Sequence, residues 1–126
     1  MTYIQRINHR PVSTMTPEEE QQLANHFDAY GSEAVIYGQV IPWHVIEEVE
    51  VVVAPHAAGL AGWLVKTLMK ASGERYHVGL YFGAQEAVLP NITWEQARYV
   101  VSHIAYYAPN RVQYTGPEDL VALTEI

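Results

Sequence analysis

Apolar and polar positions alternate with a period of two along several stretches of this chain and with a helical period along others. Ala34 to Ile41 reads as a first strand, in which Tyr37 and Gln39 share a face, and Pro42-Trp43 breaks it. Val45 to Ala54 reads as a second strand with clean parity. Val45, Val49, Val51 and Val53 point one way, and His44, Ile46, Glu48, Glu50 and Val52 the other. Tyr76 to Phe82 is a third strand, with Tyr76, Val78, Leu80 and Phe82 toward a core and His77, Gly79 and Tyr81 opposite. Arg111 to Thr115 is a short fourth strand.

Helical signals lie between these strands. Thr16-Pro17-Glu18-Glu19 carries a capping box with Pro at the first helical position, and three successive Glu suit the positive end of the dipole. The stripe Leu23, Phe27, Tyr30 extends that helix to Gly31. A second helix is predicted over 57–71, closed by Ser72-Gly73. Thr93-Trp94-Glu95-Gln96 opens a third with another capping box, running to Ala108 with a buried face of Trp94, Ala97, Val101, Ile104, Ala105 and Ala108. Gly83 to Asn91 reads as a loop, residues 1–15 as an arm or edge strand, and Gly116-Pro117-Glu118-Asp119 as the start of a last short helix.

The element order is β-β-α-β-α-β. The first two strands are expected antiparallel, and the second and third parallel through a right-handed helical crossover. The strands alternate too cleanly for a sheet covered on both sides. The expected fold is therefore α+β: one domain over residues 1–126, a two-layer sandwich of about four mixed strands with helices on one face. The second face, rich in Tyr, His, Gln and Glu, is solvated surface, a dimer interface or the floor of a cleft.

Three clusters carry candidate chemistry. Ala57-Ala58-Gly59-Leu60-Ala61-Gly62 follows a strand and opens a helix, as a dinucleotide fingerprint does, with His56 in the turn and Gly59 and Gly62 leaving N–H groups open to a phosphate. Ala stands where the first Gly belongs, Pro55 removes an N–H, and the expected acidic residue is displaced, Glu86 being the nearest. Small residues also let a helix pack closely on a sheet. Glu48, Glu50, His44 and His77 would converge on the open face, with the two carboxylates roughly 6–7 Å apart. That spacing suits acid–base work or, with a histidine, a metal, but it also arises from the patterning of any solvated strand. Tyr99, His103, Tyr106 and Tyr107 lie at helical contact spacing and would line a cleft, make a dimer contact or pack as a hydrogen-bonded cluster. No nucleophile elbow, zinc-protease motif or P-loop occurs, no two His stand as an i, i+4 ligand pair, and no cofactor or metal is implied.

Composition sharpens this. Hydrophobic residues make up 49% and charged residues 17%, against a usual charged share of about 25%. Nine Tyr and three Trp against two Phe favour surfaces with one dry and one wet side. A net charge of -7 with seven scattered basic residues leaves no stripe to neutralise nucleic-acid phosphates or anionic lipid. The absence of Cys removes disulfides, thiolate metal sites and cysteine nucleophiles. The N-terminal residues lack an apolar signal core and no run reaches the ~20 apolar residues of a membrane helix, so a cytoplasmic protein is expected.

Two functions follow. The first is a non-enzymatic module that self-associates as a dimer or binds a protein partner, with Tyr37, Tyr81, Tyr99, His103 and Tyr106 as interface residues. The alternative is a small-molecule-binding domain or small enzyme taking a phosphate-bearing or otherwise anionic ligand through His56, Gly59, Gly62, Glu48, Glu50 and His77.

Overall fold

The computed structural model describes residues 2–54 and 74–120. In chain order its elements are β1 (Thr2–Tyr3), α1 (Pro17–Ala24), β2 (Phe27–Ala29), β3 (Glu33–Ile36), β4 (Gln39–Pro42), a 3-10 turn (Trp43–Val45), β5 (Glu48–Val53), β6 (Tyr76–Phe82), β7 (Gln85–Ile92), α2 (Trp94–Tyr107) and β8 (Gln113–Thr115). The fold is α+β, but the described strands form two sheets rather than one of four strands. The larger is ordered β1-β8-β5-β6-β7 and the smaller β2-β3-β4.

Both expected capping boxes form. Thr16 accepts from the Glu19 N–H while the Glu19 carboxylate accepts from the Thr16 N–H. Thr93 and Gln96 do the same for α2. The helix after Thr16 ends at Ala24, seven residues short of Gly31 (31 − 24), because Phe27, Asp28 and Ala29 pair with Ile36, Val35 and Ala34. Phe27 is buried as a strand residue, and cross-strand pairing overrides the local helical period. The run Ala34 to Ile41 is a hairpin, not one strand. Tyr37 (φ 50°) and Gly38 (φ 79°) are both left-handed, the geometry of a two-residue I′ turn, so Tyr37 sits at a tip instead of sharing a face with Gln39.

The larger sheet corrects two further expectations. β5 and β6 are antiparallel, with Val53 opposite Tyr76, and the parallel neighbour of β5 is β8. Gly83 to Asn91 is mostly strand: Gly83 (φ 62°) begins a two-residue turn, and β7 runs back along β6 with Ala87, Leu89 and Ile92 buried. The parity of β5 holds for Val49 and Val51. Before it, the 3-10 turn shifts the phase, burying Ile46 while Val45 is only partly covered; after it, Val53 is exposed.

The core forms where Val49, Val51, Val78, Leu80 and Leu89 of the larger sheet meet Ala97, Val100, Val101 and Ile104 of α2. This helix is buried more widely than its expected apolar face, since Gln96, Val100, Ser102 and His103 are also covered and Trp94 only partly. Phe27 meets Tyr99 edge-on at 6.1 Å, and Trp43 stacks on Tyr107 at 5.1 Å. Trp43 keeps its indole N–H satisfied by donating to the Tyr30 carbonyl at 2.6 Å. The N-terminal arm is an edge strand followed by a strap: Ile4 and Ile7 are buried, and the Ile7 N–H donates to the Ala105 carbonyl. The predicted helix over 57–71 and its Ser72-Gly73 close lie outside the described residues. Among the described residues no helix is long and apolar enough to cross a membrane.

Candidate functional site

Strand register decides which side chains share the face of the larger sheet turned away from α2. Tyr3 pairs with Gln113, Gln113 with Glu48, Glu48 with Tyr81, and Tyr81 with Glu86, so one row crosses all five strands. The next row runs Thr115, Glu50, Gly79 and Val88. Beyond it Val52 stands opposite His77. The antiparallel register of β5 and β6 therefore brings Glu48 and Glu50 beside Tyr81, a meeting the expected parallel pairing did not contain. His77 lies at the far end of β5, and His44 lies in the 3-10 turn before its near end, so the expected quartet does not assemble.

Tyr81 joins this row to the next. Gly79 has no side chain, and the Tyr81 ring covers the space a Cβ would fill, 3.3 Å away. The Tyr81 hydroxyl donates to Glu50 Oε1 at 3.1 Å. Burial, that hydrogen bond and the charges of Glu50, Glu86 and Glu48 push the Tyr81 phenol above its ordinary range. It stays protonated at neutral pH and acts as a donor, not a base. Glu47 Oε1 accepts from the Gly83 N–H at 2.8 Å, and His77 Nδ1 accepts from the Asn91 N–H at 3.0 Å.

At the β1 end the face dips into a shallow groove of about 530 Å³ lined by Tyr3, His44, Glu47, Glu48, Tyr81 and Arg111, among others. The Arg111 guanidinium lies 4.0 Å from the centre of the Tyr3 ring, and Asn110 donates to the His44 carbonyl at 3.0 Å. Among the described residues the groove gathers acids, a histidine, an arginine and the Tyr81 phenol bonded to Glu50. Among the described residues no three His, Asp or Glu side chains are grouped to hold a metal.

The aromatic cluster of α2 faces inward at His103. This buried ring donates through Nδ1 to the Tyr99 carbonyl at 2.7 Å, and its centroid lies 3.9 Å from that of Tyr99. Burial lowers its pKa and raises that of the Tyr99 phenol. Ser102 donates to the same carbonyl at 2.9 Å and makes no pair with His103. Tyr106 is half-buried, edge-on to Tyr107 at 4.9 Å. Tyr37 is exposed and stacks on His26 at 4.4 Å. His56, Gly59 and Gly62 lie outside the described residues.

One junction has no counterpart in the sequence reading. The Thr93 hydroxyl donates to the Glu19 carboxylate, and the Gln96 amide donates to the Glu19 carbonyl at 3.0 Å. The two capping boxes thus clip the starts of α1 and α2 to each other. Partial burial raises the Glu19 pKa, but bonds from Thr16 and Thr93 and the charge of Arg75 outweigh it, and the net shift is downward. The two Thr-x-x-Glu/Gln patterns were the available signal; their meeting is tertiary. Compared with protein-family models, curated proteins and solved structures, the chain matches none.

Proposed function

We propose that this protein is a non-enzymatic module that works by associating with protein, in the first instance with a second copy of itself, through its five-stranded sheet. The observation that carries this reading is the acid–aromatic row. Its tyrosine, Tyr81, is bonded to Glu50 beside it, and the row shares a shallow face with Tyr3, Val52 and Val88, exposed by 37%, 42% and 41%. An exposed mix of Tyr, Val and paired polar groups suits a protein contact. Three carboxylates on the same face weigh against an anionic ligand there, and against two such faces stacking on each other, so two copies meet side by side and leave the carboxylates in water. The aromatic helix is the weaker surface, because His103 is buried and Tyr99 partly so.

Native mass spectrometry and sedimentation over a wide concentration range test the reading. Dimers are expected, and Tyr106→Glu, which alters the helix surface, leaves them intact. A parent protein that stays monomeric throughout overturns the self-association; monomers from Tyr106→Glu alone move the contact to the helix.

A further inference from the structure

The backbone of β7 offers more than its side chains. The Tyr81 carbonyl accepts from the Glu47 N–H at 2.9 Å and the Arg75 carbonyl from the Ala54 N–H at 2.8 Å, so both are turned toward the β5 side. In an antiparallel pair a residue's N–H and C=O point to the same side, and the sides alternate along the strand. Phe82–Gln85, Leu80–Ala87 and Val78–Leu89 are therefore the hydrogen-bonded pairs between β6 and β7, and Tyr81–Glu86 and Gly79–Val88 are not. Glu86 and Val88 aim their backbone groups outward, where β7 ends the sheet among the described residues. The next outward position is Pro90, which has no N–H. Glu86 and Pro90 are the kinds of residue that restrict pairing at such an edge, and they confine the open stretch to Glu86 and Val88.

We propose that two copies of this chain join through the outer edge of β7, antiparallel about a two-fold axis, with Glu86 of one protomer opposite Val88 of its partner. This rests on the self-association reading and places the contact at the sheet edge, beside the acid–aromatic face and not on it. Outward residues are even-numbered here, so neighbouring two-fold registers differ by whole steps of the pleat. Glu86 on Glu86 sets like charges face to face. Val88 on Val88 puts Pro90 against Glu86 and leaves that carbonyl without a donor. Glu86 on Val88 uses the outward N–H and C=O of both residues twice over, sets Ala87 on the axis, and keeps Pro90 beyond the paired stretch. The two five-stranded sheets become continuous, and the acid–aromatic rows run on across the joint.

Val88→Pro tests the edge, because it deletes the outward N–H at two symmetry-related positions and touches no bond to β6. The dimer dissociation constant should rise by about tenfold or more with the melting temperature of the monomer retained. A second test avoids proline. The chain has no Cys, so a mixture of the Glu86→Cys and Val88→Cys variants reports on this register alone. Opposed residues in a bonded pair lie ~5.5 Å apart at Cα, within disulfide reach, whereas like residues sit diagonally at about 7–8 Å. The mixture should give a disulfide-linked dimer under mild oxidation, and neither variant alone should. Unchanged dimer affinity in Val88→Pro, or cross-linking no better in the mixture than in the separate variants, overturns the edge contact while leaving self-association standing. A monomeric parent overturns both.

Discussion

Leu80 and Tyr81 are neighbours on β6 that live on opposite faces of one sheet. Leu80 is fully enclosed against α2 and the flanking strands. Tyr81 lies over Gly79 beside three carboxylates and is only partly covered. The first face is held by exclusion of water and close packing, in which every methylene counts. The second is held by polar contacts that water readily replaces. The comparison teaches where this protein spends its stability and where it keeps a surface available.

The sharpest way to break the contrast is to delete volume on the enclosed face. Leu80→Ala is expected to cost about 3 kcal/mol of unfolding free energy, from lost burial plus the cavity left among Val49, Val78 and the α2 side chains. Urea denaturation measures it. A loss below about 1 kcal/mol would mean that the core face can collapse around the gap, and the contrast would weaken.

Next in size is the junction that fixes α2 on that face. Thr93 caps α2, accepting from the Gln96 N–H at 3.2 Å, and donates to Glu19 as well. Thr93→Ala removes both roles and should cost about 1–2 kcal/mol, more than Thr16→Ala, whose cap is more exposed. Equal losses would show that the link between the helices contributes nothing beyond two separate caps.

The same junction predicts a pH dependence. Glu19 has its folded pKa below the ordinary 4.5, so the folded state favours its charged form. The stability this supplies is complete at neutral pH and is lost as pH falls from about 4.5 through the folded pKa. Glu19→Gln should be less stable than the parent at neutral pH, with the gap closing as the solution is acidified. Melting curves taken between pH 7 and pH 3 would reveal it, and a gap that stays constant would assign the effect to shape rather than charge.

How much of this was legible beforehand depends on the range over which each element is decided. The capping boxes at Thr16 and Thr93 and the third strand, Tyr76 to Phe82, are set by neighbours in sequence, and they appear as expected. Parity is local too, so Glu48 and Glu50 share a face as their spacing requires, but their meeting with Tyr81 depends on the antiparallel register. The Tyr37-Gly38 turn escaped because Tyr is an unusual residue for a left-handed turn position and the flanking residues apart from Gln39 are apolar. β7 escaped because Gly83 stands before it and Pro90 within it, both loop residues by habit, although Ala87 and Leu89 alternate with Glu86 and Val88. The antiparallel pairing of β5 with β6 and the clip between Glu19 and Thr93 depend on contacts far apart in the chain, which no local pattern encodes.

The smallest expected effect is the most telling about the open face. Tyr81→Phe deletes the hydroxyl that donates to Glu50 but keeps the ring over Gly79. Glu50 and the lost hydroxyl's site are both reachable by water, so stability should change by no more than about 0.5 kcal/mol. A loss near 2 kcal/mol would place that hydrogen bond in a dry setting and erase the difference between the two faces. A titration makes the same point independently. Burial, the Glu50 bond and the surrounding carboxylates together hold the Tyr81 phenol above its usual range, so Glu50→Gln should bring its ultraviolet ionisation transition back toward ordinary tyrosine. If the transition does not move, burial alone sets it, and the acid–aromatic row is a set of neighbours rather than a connected surface.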